Sequence, residues 1–542
     1  MNGMLWMSVL VPLACAALAV SVPARKAGLA RWFAAVGSGT TLLLGLVTLA
    51  DFAARPGAQF RFVASAPWST ALGASWTVGV DGIGAAMLAL TGLIATVATI
   101  SAWRESRHPR AYHASVLTLL AATGGVFVSL DLLAFFVCWE LMLVPMLVLI
   151  GIWGGEQRRY AALKFFVFTL AGSAAMLVMI VALWVTTPAG GREVAVDATT
   201  LAAHSTDTGR TLHGLTVSVD GTSARVLVPR GFDLRHLALQ WRAFEGIDFL
   251  GISLAAFGFV AMLLACLVKL PAVPLHSWLP HAHVQAPTAV SVLLAGVLLK
   301  LGVYALYRIA WPLFPAQAVA WGPTLGVVAV IGILYGAWVA LGQTDLKRLV
   351  AYSSVSHMGA CLLGLASLTV GGATGGMVVA VTHGLSSSLL FLLVGVLYER
   401  AHHRRIDGFG GLAAVMPRFA SLLLFAALAS ASLPALAGFV GEFLVLMGGF
   451  TGEAPFPLLA GLATLSVVLG AAYLLSAVRR VVYGPLRHAE PAAFADCDAR
   501  ELAATLPLVA LIVFLGIWPK PLVDALRPSC EAMLHAVRSA TP

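Results

Sequence analysis

Charge is what this chain has least of. Asp, Glu, Lys and Arg supply 11% of its 542 residues, against 60% hydrophobic ones. A soluble domain is about one quarter charged, so a soluble globular fold is excluded. Cysteine is scarce as well. Cys15, Cys138, Cys266, Cys361, Cys497 and Cys530 form no CxxC pair, and the first four fall in apolar runs. They read as four small core residues and two loop thiols rather than disulfides or metal ligands. No Gly-rich phosphate loop, no dinucleotide fingerprint and no Cys cluster for iron and sulfur occurs. Neither a cofactor nor a metal is therefore expected in this chain.

What the chain does have is a succession of apolar runs, each of about 20 residues and long enough to cross roughly 30 Å of hydrocarbon as a helix. They fall at 3–22, 29–51, 82–103, 113–130, 131–153, 162–187, 248–269, 288–309, 317–341, 349–370, 374–397, 418–449, 455–482 and 502–519. The expected fold is an all-α polytopic membrane protein with about fourteen transmembrane helices. The first run reads as a retained helix, because Met1 to Met7 carry no Lys or Arg and no small-residue cleavage site precedes Arg25.

The formal net charge of +9 does not call for nucleic acid. Lys and Arg collect in cytoplasmic loops of membrane proteins, and here they collect after alternate spans. Arg25, Lys26 and Arg31 form one such group, Arg104, Arg107 and Arg110 another, and Arg158, Arg159 and Lys164 a third. Lys347 and Arg348, then Arg400, Arg404 and Arg405, then Arg479, Arg480 and Arg487 continue the series. Both termini are accordingly expected on the periplasmic side of a cell inner (plasma) membrane.

One connection is long, residues 188–247, and lies outside by the same rule. Thr216 to Val219 and Arg225 to Val228 alternate around Asp220-Gly221, which predicts a short hairpin. Leu234 to Phe244 is spaced as a surface helix, with Trp241 suited to the interface.

Against this apolar background four charged residues stand out: Glu140, Lys269, Lys300 and Glu442. Each costs roughly 2.5 to 3.5 kcal/mol at a helix centre, so they oppose insertion unless paired or hydrated. Lys269-Leu270-Pro271 and Ser432-Leu433-Pro434 repeat a local pattern in which proline breaks a helix beside a charge. Freed backbone groups at such breaks need water or polar partners. Glu140 and Lys269 are expected to face each other or a hydrated axis. A buried lysine such as Lys300 can give up its proton, whereas a snorkelling lysine would reach the headgroups. His357 and His383 lie near span centres and titrate near neutrality, which suits a relay, although packed histidines are equally common. Together Glu140, Lys269, Lys300, His357, His383 and Glu442 form a candidate series of proton sites.

The strings carrying these residues resemble the antiporter-like subunits of respiratory complex I over most of the chain. They are Trp139-Glu140-Leu141-Met142-Leu143-Val144-Pro145, Lys269-Leu270-Pro271, Pro274-Leu275-His276-Ser277-Trp278-Leu279-Pro280 and Gln285-Ala286-Pro287-Thr288. Tyr352-Ser353-Ser354-Val355-Ser356-His357-Met358-Gly359 and Val440-Gly441-Glu442-Phe443 extend the match. An acid at 442 points to the branch of the family without lysine at the second break. The resemblance implies Glu140 with Lys269 as an input pair, Lys300, His357 and His383 as a connecting relay, and Glu442 as the output site. It implies two inverted repeats, each with a broken helix, and hence N-terminal helices in 1–112, a first repeat in 113–310 carrying the insert 188–247, a second in 311–482, and a C-terminal loop and fourteenth helix in 483–542. It further implies a proton-translocating subunit of an NADH:quinone oxidoreductase, with NADH, FMN, iron–sulfur clusters and quinone in partner subunits and antiporter-like subunits L and N as neighbours in the bilayer. A subunit of an Mrp-type cation/proton antiporter or membrane-bound hydrogenase, or a non-pumping scaffold, are the alternatives. The family's usual acid is replaced here by His281, and the insert is longer than expected.

Overall fold

The structure is a computed structural model describing residues 3–197, 215–220, 223–486 and 494–539. Six helices open the chain: α1 (Met4–Ser21), α2 (Ala24–Ala54), α3 (Gly82–Ser101), α4 (Pro109–Val128), α5 (Leu132–Trp153) and α6 (Arg158–Thr186). The next span is broken. α7 (Leu254–Lys269) stops before Pro271, and the chain resumes in α8 (Trp278–Gln285). Then come α9 (Thr288–Leu313), α10 (Pro315–Leu341), α11 (Leu346–Ala366) and α12 (Val370–Ala401). A second broken span, α13 (Pro417–Ser430) and α14 (Ala437–Phe450), precedes α15 (Phe456–Val482) and α16 (Ala499–Ile517). Among the described residues twelve helices are long and apolar enough to cross a membrane, and the two broken pairs fill the remaining places.

The breaks stand where the prolines predict them, each in the fourth of five successive spans. Five is odd, so the second group of spans enters from the opposite side, as inverted repeats require. α9 and α12 are enclosed along nearly their whole length and form the centre of the bundle.

Three features depart from the periodicity of the sequence. The span expected at 248–269 starts only at Leu254, because Asp248–Phe249 and Ile252–Ser253 pair as a tiny ladder and Ser253 caps the helix. Ahead of α3, strands β1 (Arg61–Ser69) and β2 (Ala74–Val80) form an antiparallel hairpin that the hydropathy pattern does not announce. After α16, α17 (Lys520–Arg538) is an amphipathic helix lying across α2, α3, α10 and α12. Cys530 on it and Cys497 before α16 are buried, not the loop thiols expected.

In the insert, β3 (Arg192–Asp197), β4 (Thr216–Asp220) and β5 (Ser223–Val228) form a sheet in the order β3-β5-β4. The expected pairing of the last two strands is present, while Gly221 in their turn lies outside the described residues. The surface helix appears as two short turns, Leu234–Ala238 and Trp241–Glu245. Backbone bonds knit this segment and the β1–β2 hairpin to the bundle: Leu132 donates to Phe232 and Leu234 to Leu130, while Leu130 donates to Thr77 of β2. Asp233 pairs with Arg235 at 2.6 Å. Burial pushes the Asp233 carboxyl up, but Arg235 more than offsets this and holds it below the usual carboxylate range. The anchor is thus intact at neutral pH and is lost only as pH falls through that lowered value.

At the opposite, arginine-rich end, Arg400 on α12 grips Glu501 on α16 through two bonds of 2.9 and 2.8 Å, and also donates to the Ala495 and Asp496 carbonyls. Removing one partner of such a buried, bidentate pair strands the other. Arg400→Ala is expected to lower stability by about 3 kcal/mol. Arg405→Ala, which breaks a solvent-exposed pair with Asp407, is expected to leave it unchanged. Thermal unfolding of the detergent-solubilised protein distinguishes the two.

Candidate functional site

The six candidate residues fall on six elements: Glu140 on α5, Lys269 at the end of α7, Lys300 on α9, His357 on α11, His383 on α12 and Glu442 on α14. The structure joins four of them in sequence. The Lys300 ammonium lies 2.7 Å from Nδ1 of His383. The His383 and His357 rings are 5.2 Å apart, and His357 Nδ1 lies 3.0 Å from Oε1 of Glu442. Ser430 Oγ, at the last residue of α13, is 3.4 Å from Nε2 of His357.

Local backbone geometry makes the first of these contacts. α9 widens into a π turn at Leu294–Leu298, where the Leu299 N–H reaches the Leu294 carbonyl. In a regular α-helix it would take the Ala295 carbonyl. That carbonyl is instead free to accept from the Lys300 ammonium, and it does. π turns recur at functional sites. The second partner, His383, requires α12 to lie against α9. Gly384 allows this, since a Cβ there would stand 2.9 Å from the Gly296 carbonyl.

At the second break, Glu442 and His357 line a cavity of 20 Å³ together with Ser356, Ser430, Ser466 and Tyr473. That volume admits about one water molecule with polar partners on several sides. The break in backbone hydrogen bonding thus opens onto a polar, water-sized space.

The first break is built differently. Lys269 is buried, with its ammonium 3.1 Å from the Met142 sulfur and 4.5 Å above the Trp139 ring. Trp139 is itself fixed by a bond from Nε1 to Ser173 Oγ of 3.3 Å. Among the described residues Glu140 and Lys269 make no ion pair within 4.0 Å, and Glu140 Oε1 is buried without a hydrogen-bond partner. The two side chains do not touch, so the structure shows no contact of the expected pair. Between Lys269 and Lys300 the helices meet through backbone. A Cβ at Gly302 would come within 2.6 Å of the Cys266 carbonyl oxygen.

Two residues escaped the sequence criteria. Lys347 is buried, and its ammonium bonds the Ala286 carbonyl at 2.5 Å. Adjacent charges, Asp345 and Arg348, made it look like an ordinary loop cation. His283 is completely buried and stacked on Phe391. The flanking His281 sits 3.4 Å from the Lys164 ammonium and 2.9 Å from the Ser277 carbonyl, so the position of the family's usual acid is occupied by a ring beside a cation. His276 lies against Tyr335 and Tyr352. No group of three His, Cys, Asp or Glu side chains able to hold a metal occurs among the described residues.

With this geometry in hand, similarities to known proteins can be placed. The family profile described as "NADH:quinone oxidoreductase/Mrp antiporter, TM" matches residues 129–217 and 238–469, which contain all six sites. The chain is 37% identical over 545 residues to NADH-quinone oxidoreductase subunit M of Rhodobacter capsulatus, covering 99% of this chain and 97% of that one. It superposes on a chain of respiratory complex I from Thermus thermophilus with a TM-score of 0.81 at 29% identity, covering 98% and 99% of the two chains. A chain of the Mrp complex from Dietzia shares the fold, at 21% identity and a TM-score of 0.78 over 98% of each chain. The chain belongs to the antiporter-like membrane family of NADH:quinone oxidoreductases and Mrp antiporters, and within it to the subunit M group of the oxidoreductases.

Proposed function

We propose that this chain is a membrane-arm subunit of a proton-pumping NADH:quinone oxidoreductase and carries protons along its buried series. The observation that carries the reading is the series of contacts from Lys300 through His383 and His357 to Glu442, in which the two imidazoles meet ring to ring rather than through a hydrogen bond. An imidazole can accept a proton on one nitrogen while releasing one from the other, and a buried lysine can pass its proton on. A proton leaving Lys300 for His383 Nδ1 is matched by one leaving His383 for His357, and His357 delivers to the Glu442 carboxylate beside the water-sized cavity. Lys269 supplies the control. While Glu140 stays open, the Lys269 charge is uncompensated and repels a charge on Lys300; closing the pair removes that repulsion.

No step needs an electron carrier in this chain. NADH, FMN, iron–sulfur clusters and quinone are assigned to partner subunits, with antiporter-like subunits L and N as its neighbours in the membrane. The arginine-rich ends of the helices face the cytoplasm, and both termini lie on the periplasmic side, by the charge asymmetry of the loops. The shared fold with an Mrp chain supports the alternative of a cation/proton antiporter subunit, but the full-length similarity to subunit M favours the oxidoreductase.

In the assembled complex, Lys269→Ala is expected to reduce NADH-driven proton uptake into inverted vesicles about a hundredfold, the low end of what a lost proton-transfer group costs. Unchanged pumping by that variant would refute the reading. Gly384→Val changes no charge, yet it forces α12 away from α9 and parts Lys300 from His383. It is expected to slow pumping comparably in complexes that assemble normally on native gels.

A further inference from the structure

The arginine-rich face holds a cavity of about 530 Å³ lined by Arg104, Glu105, Thr288, Lys347, Glu399 and Arg404, among others. Its wall includes Gln285 and Ala286, the end of α8 and the residue after it. Two residues before Gln285 is His283, which is fully buried. Its ring stacks flat on Phe391, with centroids 4.4 Å apart and planes 7° from parallel, and neither ring nitrogen has a hydrogen-bond partner.

That arrangement is costly for a purely structural residue. A buried polar atom without a partner costs about 1 to 3 kcal/mol, and this ring carries two. Stacking on Phe391 accounts for the plane of the ring, but a phenylalanine or leucine would stack without the penalty. Unsatisfied buried groups in native proteins mark ordered water or a functional demand. The charged and titratable groups around the ring indicate which. The ring feels the charge of Lys347, whose ammonium is held to the Ala286 carbonyl at the cavity wall. It also feels the charge of Lys300, and Phe391, on which it stacks, lies on α12, the helix that carries His383.

We propose that His283 loads protons onto Lys300 from the cavity on the arginine-rich face, with water linking the ring to the cavity and to the amine. A proton from the aqueous phase passes over the cavity water to one ring nitrogen, leaving each water molecule neutral, as the N–H bond on the other nitrogen breaks. The released proton passes over water to the Lys300 amine left neutral by delivery to His383, and tautomer exchange resets the ring. One N–H bond forms and one breaks at the ring, so nothing else is consumed. Lysines on both sides repel a positive charge held on the ring, so a proton arriving there moves on. This assignment deepens the pump reading and rests on it.

The test uses the assembled complex in inverted vesicles with His283→Gln, His283→Ala and, as reference, Lys300→Ala. Glutamine keeps hydrogen-bonding capacity and approximate volume but cannot shuttle a proton. His283→Gln is expected to lower proton pumping about a hundredfold, with NADH oxidation by an artificial acceptor unchanged. His283→Ala is expected to fall as far and to recover several-fold on adding millimolar imidazole from the cavity side, a rescue that a structural role would not give. Wild-type pumping by His283→Gln, alongside impaired Lys300→Ala, overturns the loading role and leaves the pump reading intact. Absence of imidazole rescue in assembled His283→Ala complexes, or failure of both His283 variants to assemble, overturns it in favour of a structural role. Normal pumping by Lys300→Ala removes the pump reading and this inference with it.

Discussion

An ammonium enclosed among apolar helices cannot stand without partners, and the middle of this molecule is arranged around that constraint. Lys300 is wholly buried. Its partners are a backbone carbonyl and an imidazole, not a carboxylate. The carbonyl is available only because α9 runs wide for one turn, and the imidazole is within reach only because two glycines let α12 and α9 touch. The choice of partners matters. A buried carboxylate would fix the charge in place, since breaking a buried ion pair costs about 3 to 5 kcal/mol. A neutral ring that accepts on one side and donates on the other solvates the ammonium and also gives its proton somewhere to go.

The two helix breaks answer the same constraint with different chemistry. At the first, a cation rests on a sulfur and an indole face, soft contacts that stabilise charge without taking a proton. At the second, an acid is bonded to a histidine beside a space the size of one water. Two related local sequences, each with a proline in the same place, have therefore come to hold a cation on soft partners and an acid on an imidazole. The open separation of Glu140 from Lys269 keeps the first charge active at a distance. Coulombic influence across a low-dielectric bundle does not need contact.

How far the residues announced this varies with the physics that places them. The four membrane charges and the two breaks were legible, because a single Glu or Lys in an apolar run and a proline inside a helix are local signals. His357 and His383 were legible only as candidates; their proximity to Lys300 and Glu442 depends on how four helices pack. The π turn under Lys300 has no sequence mark, since it arises from a shift of one hydrogen bond. The hairpin of β1 and β2 and the helix α17 were missed because neither is an apolar run: the first is short and polar at its tip, the second apolar along one stripe only. Lys347 and His283 were hidden for the opposite reason. Each sits among polar neighbours that look like loop, and only the fold turns the side chain inward.

Those unannounced elements determine where the molecule can yield. α17 lies over α2, α3, α10 and α12, and the hairpin and insert are tied to the start of α5 by backbone bonds. At the other end, Arg400 locks α12 to α16. The enclosed helices are thus held near both ends, so a change of charge at Lys300 cannot be relieved by moving α9 or α12 as wholes. Packed interiors transmit such stress rather than absorb it. The breaks remain as the compliant points, and at the second of them Ser432 and Ala435 already hold left-handed backbone angles that side chains other than glycine rarely adopt. In the proposed reading, a proton shifting along the series acts on the two breaks, which are also where Lys269 and Glu442 sit. Coupling between the ends of the pathway then needs no long-range helix motion, only the exchange of partners at two fixed gaps in an otherwise rigid frame.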